Sequence, residues 1–323
     1  MNDILHFLIP ALQTQYRFKE IQVISKNPMI VGTERGLKKI RFWTDERLLR
    51  KHLNWRRNLM NDRFFLDRMY VNQSGHPFIR MGRYSVTCHD APPDRAEFSG
   101  NEALWASVCS VLLKRSRDLQ SGYDRPIDLR TRAKFSFEQA SRTGILSGEA
   151  GKLISTCYSP ACARAGQADL LRSRHQRRSR SFIVPMDFSF RNCKALLGTL
   201  FVELGQCKPV TGYQALARFF LEQMVAEGEA SLQRLFISLK KEGPPDRETS
   251  DLLRAEWFEP KEWFHLLTLL SNQPESNRRK EEIQAFKAVW DQKTRLINLF
   301  DSFFSQPDDG RKAGEDGGNF EKH

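Results

Sequence analysis

At 323 residues, 40% of them apolar and 11% aromatic, the chain is long enough to bury one large core or two packed lobes. No apolar run approaches the ~20 residues of a membrane-crossing helix. The start, "MNDILHFLIPALQTQ", lacks the basic stretch and small-residue cleavage site of a secretion signal, so none is expected. The formal charge of +12 sits largely in blocks, "RRNLMNDR" (56–63) and "RSRHQRRSR" (172–180), with no nucleic-acid-binding spacing beside them. Solvated surface is the simpler reading of those blocks, and nucleic acid is unlikely as a partner. Six cysteines form no C-x-x-C pair and read as reduced thiols.

In chain order, an amphipathic opening helix (Ile4, Leu5, Leu8, Leu12) precedes three short strands, "IQVIS" (21–25), "PMIVGT" (28–33) and "LKKIRFW" (37–43). A helix follows over 44–60, with Thr44 as a candidate cap and Asp45 and Glu46 in the first turn, where the helix dipole favours carboxylates. "FLDRMYVN" (65–72), "PFIRMG" (77–82) and "RYSVTCHD" (83–90) are again strand-like. "APPDR" (91–95) breaks the pattern, since two prolines cannot continue a central strand. Helices then dominate: one from 99, a weakly patterned region up to 180, and five more after the strand-like pieces around Gly198. The polar, Gly-rich end beyond 305 is expected to be disordered. The domain reading is a β-rich N-terminal lobe (1–90), a hinge (91–95), a helical C-terminal lobe (96–304) and a tail (305–323).

That order, strands with one helix and then a helical part carrying a strand–loop–strand insertion, is the order of a two-lobed α+β protein-kinase-like fold. Phosphoryl transfer needs a Lys on the third strand for nucleotide phosphates and a helix carboxylate to orient it. It also needs an Asp for the acceptor hydroxyl, an Asn five residues on for a metal, and a second metal-binding acid on the next strand turn. Lys38 lies on the third strand, with Lys39 competing for the role from the other face; Glu46 is the helix acid. Asp187 and Asn192 have the required spacing in "SFIVPMDFSFRN", and Glu203 in "LFVELG" stands where the second acid belongs. An isolated Asp-x4-Asn carries little weight; its place after an apolar strand in the helical half is what raises it.

The stretches "GLKKIRFWTDERLL", "RYSVTCHD" and "FIVPMDFSFRN…LFVELGQCKP…YQALARFFLEQM" resemble the bacterial spore-coat kinase-like proteins of the CotS and YutH type, within the aminoglycoside and choline phosphotransferase group. The resemblance spans about residues 14 to 304. It implies a kinase-like fold, ATP and magnesium as cofactors, spore-coat proteins as partners, and a place in the cytoplasm of the mother cell and in the spore coat. It also implies Asp187 as the catalytic residue, Lys38 and Glu46 as nucleotide-binding residues, and Asn192 and Glu203 as metal ligands. The family loop reads His-Gly-Asp-Phe-(Ser/His)-x-x-Asn; here Pro185 and Met186 replace His-Gly. The family's Ile-Asp-Phe-Asp element becomes Val202-Glu203-Leu204-Gly205, a carboxylate one methylene longer, which magnesium's octahedral demand tolerates badly. These departures make a pseudokinase with weak or absent transfer the leading expectation. An active ATP-dependent phosphotransferase, acting on a small hydroxyl or amino compound or on a coat protein, is the alternative.

Overall fold

The computed structural model describes residues 2–115, 128–175, 183–185, 193–206, 209–272 and 279–304. The tail beyond 305, Asp187, Asn192 and the 176–180 part of the second Arg block lie outside the described residues.

The N-terminal lobe is built on a five-stranded antiparallel sheet in the order β1-β2-β3-β6-β5. Its strands are β1 (Ile21–Lys26), β2 (Met29–Thr33), β3 (Gly36–Trp43), β5 (Ile79–Met81) and β6 (Tyr84–Asp90). Strand alternation sends successive side chains to opposite faces, and each face has its own cover. Helix α1 (Asn2–Tyr16) lays Leu8, Leu12 and Tyr16 onto Val31, Ile40, Val86 and Cys88. Helix α2 (Glu46–Asn58) takes the other face, where the His52 ring packs on Trp43 at 5.0 Å. The cap of α2 is Asp45 rather than Thr44: its Oδ1 accepts from the Arg47 and Leu48 amides at 2.9 and 3.1 Å.

The stretch expected as a strand over 65–72 is mostly a connection. Only β4 (Phe65–Leu66) is strand, and it pairs parallel with β9 (Thr199–Val202). A front-half segment is thereby added to the small sheet β4-β9-β8, with β8 at Cys193–Leu196. The 91–95 connection is anchored to the same hairpin, the Ala195 amide donating to the Asp94 carbonyl at 3.0 Å. The β8–β9 turn holds Leu197 at φ 52° and Gly198 at φ 73°, two left-handed residues in a tight hairpin.

The helical lobe centres on α3 (Glu102–Arg115), buried continuously from Trp105 to Leu113. Around that core pack α7 (Gln214–Glu227), α8 (Glu229–Glu242), α9 (Arg247–Phe258) and the second half of α11 (Arg279–Phe304). The weakly patterned region resolves into α4 (Leu129–Arg142), α5 (Gly148–Thr156) and α6 (Tyr158–Arg174). They form a second core with α10 (Lys261–Asn272) and the first half of α11, where Ile283 and Phe286 are buried. The α6 contribution is a stripe of Ala161, Ala165 and Ala168, all fully buried, which lets α4 and α9 approach closely. A further antiparallel pair joins β7 (Ile183–Pro185) to β10 (Pro209–Thr211). One core in the sheet-rich lobe and two in the helix-rich lobe give the two-lobed α+β kinase-like architecture.

Candidate functional site

The two adjacent lysines of β3 part company by strand geometry. Lys38 turns to the α1 face and is 1% exposed. Its Nζ donates to Asp90 Oδ1 at 2.8 Å and to the Arg35 carbonyl, and sits 4.9 Å from the centre of the Tyr70 ring. Tyr70 Oη donates to the same Asp90 oxygen at 3.0 Å, so the ammonium and the acid are sealed together under an aromatic cover. Lys39 turns to the α2 face with Arg41, and both donate to Glu203 Oε1, Arg41 Nη2 at 3.1 Å. The Lys39 and Glu203 side chains are 24% and 21% exposed, against 3% for Arg41, so this pair borders solvent while Arg41 stands behind it.

Behind Arg41 lies a buried ionic knot on Asp67. Asp67 Oδ2 accepts from Arg41 Nη1 at 2.6 Å, from Arg56 Nη2 at 2.7 Å and from the Leu204 amide at 3.2 Å. Arg56 also donates to the Asp67 carbonyl at 2.9 Å. The Asp67 backbone is left-handed, φ 42°, a conformation Asp adopts more readily than most residues. Burial alone would raise the Asp67 carboxyl; the charges of Arg56, His89 and Arg41 overcome it and hold the group well below the usual carboxylate range. Burial draws the Arg56 guanidinium down, with Asp67 opposing. The β4 end, β3 and α2 of the front lobe thus meet the β9 exit of the rear lobe on one acid.

His89 completes the knot. Thr87 Oγ1 accepts from Trp43 Nε1 at 2.9 Å and lies 2.8 Å from His89 Nε2. Nδ1 faces only acceptors, 3.3 Å from both the carbonyl oxygen and Oδ1 of Asp67, so the imidazole proton is assigned there, leaving Nε2 to accept from the Thr87 hydroxyl. The carboxylate contact is a polar approach without hydrogen-bond alignment, since Oδ1 has no hydrogen-bond partner. Burial pushes His89 down to about 4, against the pull of Asp67, and keeps the ring neutral at pH 7.

The ion pair expected between Lys38 and Glu46 does not form. Glu46 sits in the first, outward turn of α2 and pairs with Arg50 at 2.7 Å and with Arg80 at 2.8 Å. The inner face of α2 carries Leu49, His52, Trp55 and Arg56, so the helix presents a guanidinium to the site and no acid. Glu203 is brought together with Lys39, the competing lysine, and not with Lys38, because the pleat sends Lys38 to the opposite face. Asp187 and Asn192 lie outside the described residues. The sequence reading missed Arg41, Arg56, Asp67 and His89. The signal for two of them was present: Arg41 shares its strand face with Lys39, and Arg56 falls among the apolar residues of the inward α2 face.

A magnesium ion is implied by a kinase-like fold, and Glu203 is its proposed ligand among the described residues. Among the described residues the donor set does not fit: Oε1 of Glu203 is shared by two cations, and Asp67, the neighbouring acid, has no solvent-exposed side-chain surface. Among the described residues, Glu203, Lys39, Arg41, Arg56 and Asp67 put three cations against two acids, and a divalent cation would add to that surplus.

The fold has solved counterparts. An aminoglycoside phosphotransferase from Alicyclobacillus acidocaldarius superposes with a TM-score of 0.63 at 12% identity, over 88% of this chain and 92% of that one. The AMP-bound complex of a spectinomycin phosphotransferase matches with a TM-score of 0.50 at 11% identity, over 91% of this chain and 97% of that one. The chain has an aminoglycoside-phosphotransferase-like, kinase-like fold. No protein-family model and no curated protein matches the sequence. Lys39 and Arg41 share the face of β3 that Glu203, at the exit of β9, approaches. Among the described residues no helix is long and apolar enough to cross a membrane.

Proposed function

We propose that this chain is a nucleotide-binding pseudokinase, a kinase-like protein whose cleft holds nucleotide phosphates while phosphoryl transfer is weak or absent. One observation carries the reading: the acid standing at the metal position, Glu203, is shared by Lys39 and Arg41. Two features support it. The inner face of α2 offers Arg56 where transfer would need an acid to orient the lysine, and Pro185-Met186 replaces the His-Gly pair before Asp187. Nucleotide as ligand is supported by the AMP complex of the spectinomycin phosphotransferase of like fold. Lys39 is the phosphate-holding lysine; Asp187 and Asn192 keep the roles proposed from their spacing. Association with spore-coat proteins is proposed from the motif resemblance.

The second reading is an active ATP-dependent phosphotransferase on a small hydroxyl or amino compound, favoured by the fold shared with the aminoglycoside phosphotransferase. Calorimetric titration of the full chain with ATP, beside a turnover assay over a panel of aminoglycosides and amino alcohols, separates the two. The pseudokinase reading expects binding without turnover. Turnover abolished by Asp187→Asn would establish the second reading, and absence of ATP binding would overturn both.

A further inference from the structure

We propose that the cleft binds a nucleoside polyphosphate free of divalent metal, in preference to its magnesium complex, with Lys39 as the phosphate group's partner and Arg41 holding Glu203 out of metal ligation. The inference rests on the nucleotide-binding reading above. Three features carry it. First, Glu203 Oε1 accepts from both Lys39 and Arg41, so the one described acid at the cleft edge is engaged by cations before any ligand arrives. Second, the two cations are not equivalent. Arg41 is 3% exposed and fixed from behind by Asp67 at 2.6 Å, whereas Lys39 is 24% exposed on a flexible stem. A phosphate can draw Lys39 off Glu203 while Arg41 keeps the carboxylate neutralised. Third, Asp67 has no solvent-exposed side-chain surface behind Arg41 and Arg56, so its one unpartnered oxygen, Oδ1, is out of reach of a metal arriving from solvent.

The surplus positive charge then performs the neutralising task a metal ion usually performs, with the ammonium supplied by the strand itself. A metal-free polyphosphate carries more negative charge than its magnesium complex, and the cationic rim rewards the difference.

The test is calorimetric titration of the full chain with ATP, once in EDTA and once in excess magnesium, repeated on Glu203→Gln. The expected result is binding in EDTA about three- to tenfold tighter than in magnesium. In Glu203→Gln, metal-free binding is expected to tighten, because Lys39 loses its competitor. Binding that requires magnesium and is weakened in Glu203→Gln would overturn this inference and leave the nucleotide reading standing. No binding in either buffer would overturn the nucleotide reading itself. Equal binding in both buffers, unchanged in Glu203→Gln, would show that Glu203 does not compete for Lys39 and would overturn the inference.

Discussion

The Arg41 guanidinium lies 3.1 Å from the Glu203 carboxylate, joining residues 162 apart in the chain. Through Arg41 the solvent-bordering Lys39–Glu203 pair is tied to a buried acid, Asp67, and through Asp67 to Arg56 on α2. The solvent-bordering cation Lys39 and the buried anion Asp67 are therefore parts of one charge system, and a change at either end is felt at the other.

Asp67 is the stability centre of that system. Replacing it by Ala leaves two guanidinium groups, Arg41 and Arg56, buried without their shared acid. The expected loss is about 3–5 kcal/mol of unfolding free energy, measured by urea denaturation. Glu203→Gln, at a pair that borders solvent, is expected to cost about 1 kcal/mol or less. Equal costs for the two would contradict a buried knot centred on Asp67.

His89 sets the acid side of the stability profile. Its folded value of about 4 lies below the unfolded value of 6.5. Between those two values the unfolded chain binds the extra proton, so stability falls as pH drops through the window, by about 3 kcal/mol at most. Asp67, held well below the normal carboxylate value, adds stability above its unfolded pKa that is lost only as pH falls further, through its folded value. Denaturation midpoints across this range should slope downward toward acid in the native protein and flatten between 6.5 and 4 in His89→Gln.

Leu197 occupies a left-handed position at the β8–β9 hairpin tip with 84% of its surface exposed. A branched apolar side chain is a poor choice there, and Asn tolerates the conformation better. Leu197→Asn is expected to stabilise the chain by about 0.5–1 kcal/mol, read as a raised thermal midpoint. A lowered midpoint would mean that the leucine makes a contact the hairpin geometry does not require.

Much of the fold was legible because contrast was high. "LKKIRFW" is a short β-branched and aromatic run bounded by Gly36, and the α11 pattern of Ile283, Phe286, Ile297 and Phe300 falls on a buried face. The region over 129–174 was not legible because its helices pack through Ala161, Ala165 and Ala168, small residues with little hydropathic contrast to their neighbours. In the site, spacing alone could not choose between Lys38 and Lys39. The choice is made by which sheet face α1 and α2 each cover, a long-range fact. Glu46 looked apt because acids favour a first helical turn, which is also the turn most open to solvent and to Arg80. Asp67 carried no local signal, since its partners come from β3, α2 and the exit of β9.

The central claim, that Lys39 and not Lys38 faces the nucleotide, is tested most directly by the dissociation constant of ATP for three proteins: the native chain, Lys39→Gln, and the double variant Lys38→Met with Asp90→Asn. The double variant removes both members of the buried pair, so that neither charge is left stranded. The account predicts a loss of about tenfold or more in Lys39→Gln and native affinity in the double variant. Native affinity in Lys39→Gln, with binding lost in a folded double variant, would contradict it.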